Sequence, residues 1–156
     1  MLQAFNNRVA SNHALFLVHY GDIVTTMNLR KLLDYHERHK AVATVALASG
    51  FTVRVGLADI DRKGKILGFV EKPKLEKPVS VGIMVLEGEA LNDIESMFPK
   101  KSGADLMKDL IPHLVQSGKP VYGYLSNAFW YDVGSTEAYE KLDHRFVEKS
   151  LSFLFK

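Results

Sequence analysis

Short apolar runs alternate with amphipathic stretches along this chain. Ala14 to His19 (ALFLVH) is a continuous apolar run followed by Gly21-Asp22, which predicts a parallel strand buried on both faces and closed by a turn. Asn28 stands where a helix needs an N-cap. Leu29, Leu32, Leu33 and His36 follow at i, i+3, i+4 and i+7, so one helix face packs inward. Val42 to Leu47 (VATVAL) is a second buried run, and strand, helix and strand in this order predict a βαβ unit with a right-handed crossover.

The period then changes. Val53, Val55 and Leu57 alternate, Asp61-Arg62-Lys63-Gly64 is turn chemistry, and Lys65 to Val70 resumes an extended pattern, so this stretch reads as a β-hairpin. Glu71-Lys72-Pro73 ends it, and Lys74 to Pro78 reads as a solvated loop before a further strand over Val79 to Leu86. Leu106, Met107, Leu110, Ile111 and Leu114 trace a helical stripe that Pro112 should kink or restart. Val121 to Leu125 and Phe129 to Val133 predict two more strands. Ser135 is placed to cap a final helix turning Tyr139, Leu142 and Phe146 inward. A further amphipathic pattern, Leu2, Phe5 and Val9, marks the first residues, and Leu151, Phe153, Leu154 and Phe155 make a short apolar tail.

Composition narrows the class. The 156 residues suit one α/β domain, and 47% hydrophobic with 24% charged residues is ordinary globular usage, which excludes disordered, collagenous and coiled-coil architectures. A net charge of +2 suits anionic small molecules and falls short of a nucleic-acid footprint. With no Cys there is neither a disulfide framework nor a thiolate metal site, and a cytoplasmic location is expected. No apolar run approaches the roughly 18 residues of a membrane span, so no membrane partner is expected.

Ligands of open α/β sheets gather beyond the carboxyl ends of the strands, which singles out three places. Asp22 follows the first strand, Glu71-Lys72-Pro73 ends the hairpin, and Asp132 sits within Trp130-Tyr131-Asp132-Val133-Gly134. Each has two readings: Asp22 as a turn residue or a cation ligand, Lys72 as a solvated loop cation or a phosphate contact, and the aromatics as packing or a stacking surface. Asp132, flanked by aromatics, is expected to be buried and therefore to need a hydrogen-bond donor or a cation. His36 and His39 stand at i, i+3 on one helix, where a surface face and a chelating pair both fit. The absence of Cys and of a G-x-S-x-G elbow argues against nucleophilic acyl chemistry.

Taken in order, FLVHYGD, RVGLADIDRKGKILGFVEKP, VSVGIMVLEGEAL and FWYDVGSTEAYEKL resemble the sugar-phosphate nucleotidyltransferases. These are the NDP-sugar pyrophosphorylases, such as mannose-1-phosphate guanylyltransferases and glucose-1-phosphate thymidylyltransferases, and the resemblance spans residues 14–142. It implies a Rossmann-like mixed sheet with flanking helices. The reaction it implies joins a nucleoside triphosphate to a sugar 1-phosphate with release of pyrophosphate, the sugar phosphate attacking the α-phosphorus. By the same resemblance, Asp22 and Asp132 hold Mg²⁺ and are catalytic together with Lys72. Lys72 contacts the sugar phosphate, Glu71 a sugar hydroxyl, and the backbones of Gly56 and Gly82 line the sugar pocket. General likeness favours mannose and GTP. Such chemistry is positioning plus charge neutralisation, for which Mg²⁺ needs only one or two carboxylates beside substrate oxygens and waters.

The family's G-x-G-T-R-[LM]-x-P phosphate loop does not occur in these residues, and the first residues correspond to the helix before the Gly-Asp strand. The expectation is a truncated nucleotidyltransferase fold, one partial domain over 1–156 that keeps the sugar-phosphate side. Loss of a single preorganised oxyanion donor costs about 3–4 kcal/mol, so the isolated chain is expected to be nearly inactive. A homo-oligomer or a separate N-terminal partner chain is expected to cover the exposed sheet edge. The alternative is a non-catalytic sugar-nucleotide-binding or regulatory subunit that pairs with a complete paralogue.

Overall fold

The computed structural model describes residues 14–97 and 105–152, with side chains for all of these except 94–97. The expected N-terminal amphipathic segment and the tail from Phe153 onward lie outside the described residues.

The central sheet has four strands in the order β1 (Leu15–His19), β6 (Val79–Glu87), β3 (Ala43–Ala48) and β7 (Val121–Leu125). β6 is antiparallel to both β1 and β3, and β3 is parallel to β7, so the sheet is mixed. The expected parallel pairing of the first strand is corrected here. β1 runs parallel to β3, but β6 lies between them, and the hydrogen bonds β1 makes are antiparallel. Nor is β1 buried on both faces, since Leu15 and Leu17 are 40% and 41% exposed in an alternating pattern. An apolar run reports burial tendency and does not specify which strand pairs with it.

α1 (Leu29–His39) begins at Asn28, whose side chain accepts from the Lys31 N–H. Its Leu32 is fully buried and packs in a cluster with Ala46, Val81, Ile83 and Val85 on one sheet face. Met84 and Leu86 point to the other face, where they meet Leu91 of α2 (Gly88–Met97) and Leu110 and Leu114. A π-helical turn, Leu106–Leu110, carries Leu110 and runs straight into α3 (Ile111–Gln116), which carries Leu114. Pro112 lies at the start of α3, where its missing N–H costs nothing, so the expected restart falls there. The alternation along β6 thus supplies both halves of a helix–sheet–helix core, each fully buried Leu or Ile contributing roughly 1.5–3 kcal/mol.

β4 (Leu57–Ile60) and β5 (Ile66–Val70) form the expected antiparallel hairpin, closed by Asp61, whose carboxylate accepts from the N–H groups of Lys63 and Lys65. Val53 and Val55 lie before β4, outside a continuous strand, although Thr52 bridges to Lys74. The hairpin carries exposed Leu57, Ile60, Leu67 and Phe69. Lys74 to Pro78 is exposed, as expected of a solvated loop.

β2 (Ile23–Thr25) and β8 (Trp130–Asp132) pair antiparallel as a separate ribbon. After it, the expected single helix is two: α4 (Thr136–Glu140), capped by Ser135, and α5 (His144–Ser150), capped by Asp143. The Asp143 carboxylate accepts from Phe146 N–H at 3.0 Å and starts a new helix. Tyr139 and Phe146 are correspondingly 57% and 45% exposed, which overturns their inward assignment.

Candidate functional site

The β2–β8 ribbon sets the site. In its register Ile23 lies opposite Asp132, and the Val133 N–H extends the ladder to the Asp22 C=O at 2.8 Å. Asp22 and Asp132 are thereby brought to one rim although 110 positions separate them in the sequence. The turn at Gly134 measures their approach: a Cβ built there would sit 2.9 Å from Asp132 Oδ1 and 3.0 Å from Asp22 Oδ2. The two oxygens are no farther apart than the sum of those distances. Asp132 Oδ1 also accepts from the Gly134 N–H at 2.7 Å, which fixes that carboxylate. Both aspartates are exposed, so the expected burial of Asp132 is corrected: its aromatic neighbours Trp130 and Tyr131 are half-buried while its own side chain faces solvent.

Both carboxylates line an open cavity of about 1090 Å³. Gly82 is in its wall with φ of 72°, at the stretch of β6 where the register against β3 shifts. Backbone geometry and space both require glycine there, because a Cβ would meet Ile23 Cγ1 at 3.0 Å and Tyr20 at 3.3 Å. Tyr20 also lines the cavity, and its phenol is pushed up from the usual tyrosine value, first by burial and then by the carboxylates of Asp105 and Asp22. Phe51 and Trp130 stack at 6.2 Å and 22° among the lining residues.

Gly56, Glu71 and Lys72 are placed differently. None lines the cavity; they lie on and beside the β4–β5 hairpin. A Cβ on Gly56 would press into the Phe69 ring and lie 2.8 Å from Glu71 Oε2, so Gly56 and Glu71 are neighbours across the hairpin. Lys72 is exposed and takes φ of 47° immediately before Pro73, a costly backbone for a non-glycine residue. The base of the hairpin reaches the rim, since Val53 N–H donates to the Pro73 C=O at 2.9 Å and Thr52 lines the cavity.

The structure adds a residue that the sequence reading missed. Arg54 lines the cavity and is exposed. Its signal was the polar half of the alternation in which only Val53, Val55 and Leu57 were weighed. His36 and His39 do not form a chelating pair. His36 is buried against Thr44 Oγ1 at 2.9 Å and Glu87 Oε1 at 3.4 Å, while His39 Nδ1 bonds the Tyr35 C=O.

Hard oxygen donors converging on one point fit a small divalent cation that completes its shell with water and substrate oxygens. Among the described residues no group of three or more His, Cys, Asp or Glu side chains is gathered for a metal. No helix among them is long and apolar enough to cross a membrane.

A family profile described as nucleotidyl transferase matches residues 2–149. Glucose-1-phosphate adenylyltransferase of Acetivibrio thermocellus is 32% identical over 126 residues, covering 76% of this chain and 30% of that protein. The enzyme of the same name from Aliivibrio fischeri strain MJ11 is 31% identical over 160 residues, covering 85% and 38%. Among solved structures, a putative glucose-1-phosphate thymidylyltransferase of Bacillus anthracis in complex with a sucrose aligns with TM-score 0.63 at 21% identity, over 90% of this chain and 58% of that one. HddC from Yersinia pseudotuberculosis aligns with TM-score 0.57 at 20% identity, over 85% and 55%. The chain spans about a third of the length of these curated relatives.

Proposed function

The chain belongs to the nucleotidyl transferase family, and on that premise we propose that its cavity binds a sugar 1-phosphate and the matching sugar nucleotide for nucleotidyl transfer with release of pyrophosphate. The observation that carries this reading is the meeting of Asp22 and Asp132 beside Gly134 at the rim of a cavity large enough for a hexose phosphate. The names of the relatives favour glucose 1-phosphate with ATP over mannose with GTP.

In this reading Asp22 and Asp132 hold Mg²⁺. When bound, the ion supplies positive charge against phosphate oxygens that would otherwise repel one another. Asp132 is kept in place by its bond from Gly134 N–H, and the bare Cα of Gly134 leaves room between the carboxylates. The backbone at Gly82 allows a sugar to approach the sheet where a side chain would intrude. Lys72 supplies a cation for the sugar phosphate and Glu71 an acceptor for a sugar hydroxyl from the hairpin side, with Gly56 beside them. Binding and orienting the sugar phosphate is the work these residues do; attack on the α-phosphorus additionally needs a cradle for the triphosphate.

A second reading, a non-catalytic subunit that binds sugar nucleotide, draws on the same cavity and the same carboxylate pair. Pyrophosphate release from ATP and glucose 1-phosphate with Mg²⁺ separates the two, measured with the chain alone and with a co-expressed segment carrying that loop. Rescue by the segment supports the transferase reading. Binding of ADP-glucose without any rescue supports the second. Failure to bind either sugar compound under all conditions overturns both.

A further inference from the structure

The cavity contains an imbalance that the family reading leaves unassigned. Among the described residues its charged lining is Asp22, Asp132 and Arg54, so a phosphorylated ligand entering it meets two anionic side chains and one cationic one from these. Lys72, the cation expected from the sequence, is not among the lining residues. We propose that Arg54 is a second cation for the phosphate of the sugar phosphate, acting from the cavity lining in addition to Lys72 on the hairpin side; the proposal rests on the sugar-phosphate reading above.

Three observations support it. First, Arg54 is available: it is exposed, and among the described residues it forms no ion pair, the carboxylates that do being bound to His36, His113, Lys119 and Lys141. Second, its backbone is anchored. Thr52 makes an isolated bridge to Lys74, and Val53 N–H donates to the Pro73 C=O at 2.9 Å, so the residue next in line follows two backbone contacts. On the same loop Phe51 stacks on Trp130 of β8 at 6.2 Å, tying it to the ribbon that carries Asp132. Third, Arg54 is near enough to α4 for its charge to be felt there. The Glu137 carboxyl on α4 is held below the usual carboxylate range chiefly by its hydrogen bond to Lys141, and Arg54 adds a smaller pull in the same direction.

The chemistry suits the position. A guanidinium presents a planar fork of donors that matches two phosphate oxygens and stays charged at every working pH. The carboxylate pair would repel the same phosphate unless a cation neutralised it. Arg54 therefore distinguishes a phosphorylated hexose from a free one, and it does so independently of the metal. A charge-assisted pair of hydrogen bonds at about 1.5–3 kcal/mol corresponds to about a ten- to hundredfold change in affinity.

The test is calorimetric titration of the full chain with glucose 1-phosphate in Mg²⁺, for wild type, Arg54→Gln, Arg54→Lys, Lys72→Gln and Asp22→Asn. Arg54→Gln is expected to weaken binding at least tenfold, Arg54→Lys to recover part of it, and Arg54→Gln to leave the affinity for Mn²⁺ alone, read by electron paramagnetic resonance, unchanged. Circular dichroism of Arg54→Gln should match wild type, since the side chain is exposed. Binding by Arg54→Gln within twofold of wild type, with Asp22→Asn still weakened, overturns the role of Arg54 and leaves the sugar-phosphate reading standing. No binding by the wild-type chain overturns both.

Discussion

Asp22 and Asp132 each bring one carboxylate oxygen to the same bare Cα, at 3.0 and 2.9 Å from where a Gly134 side chain would begin. This relationship is a product of strand register: the β2–β8 ribbon carries Asp22 and Asp132 at adjoining positions of one ladder. The narrow gap between two anions is stable when a cation or solvent fills it, and it gives the first prediction. Gly134→Ala is expected to lower Mg²⁺ affinity by about tenfold, on the order of 1.4 kcal/mol. The atoms a methyl group would meet are the ends of two exposed side chains, of which Asp22 can swing away and Asp132 would give up its bond from the Gly134 N–H, so the fold should lose about 1 kcal/mol. Manganese binding by electron paramagnetic resonance and urea unfolding check the two halves separately.

Gly82 should behave in the opposite way. Its φ of 72° is strained for any residue with a Cβ, and the obstruction is Ile23 and Tyr20, which are packed rather than free. Gly82→Ala is expected to destabilise the fold by about 1–3 kcal/mol, measured by urea denaturation.

His36 joins α1 to the sheet through the buried Thr44 hydroxyl, with Glu87 at its other nitrogen. His36→Leu fills similar space and leaves Thr44 without this partner. A loss of about 1–3 kcal/mol is expected in the same unfolding experiment, with binding at the distant rim retained.

The Glu137 carboxyl gives a pH prediction with a defined sign. Its folded value is lowered, chiefly by the hydrogen bond from Lys141, so the interaction supports α4 above the ordinary carboxylate value and is lost as pH falls through the lowered one. Lys141→Met should return the titration of Glu137 toward the usual carboxylate range, and Arg54→Gln should move it less. The side-chain carboxyl ¹³C shift of Glu137 reads both.

Much of the fold was legible because it is encoded locally. The cap at Asn28, the stripe of Leu29, Leu32, Leu33 and His36, the turn at Asp61 to Gly64 and the restart at Pro112 depend on neighbours a few residues away. Pairing is not local, so the run at Ala14 to His19 announced a strand without saying that β6 would join it antiparallel. The spacing of Tyr139, Leu142 and Phe146 fits one helix face, but the Asp143 cap competes with helix continuation and wins. At the site, the two aspartates were found as polar residues ending strands and were then related by family resemblance. The placement of Lys72 outside the cavity lining and of Arg54 within it depends on how the hairpin leaves the rim, which no motif records.

The central claim is that Asp22 and Asp132 jointly hold a divalent ion for a sugar nucleotide. Titrating ADP-glucose into the chain with and without Mg²⁺, for wild type, Asp22→Asn and Asp132→Asn, tests it most directly. The account predicts metal-dependent binding in wild type that either substitution abolishes. Equal binding by all three proteins, or binding indifferent to Mg²⁺, would contradict it.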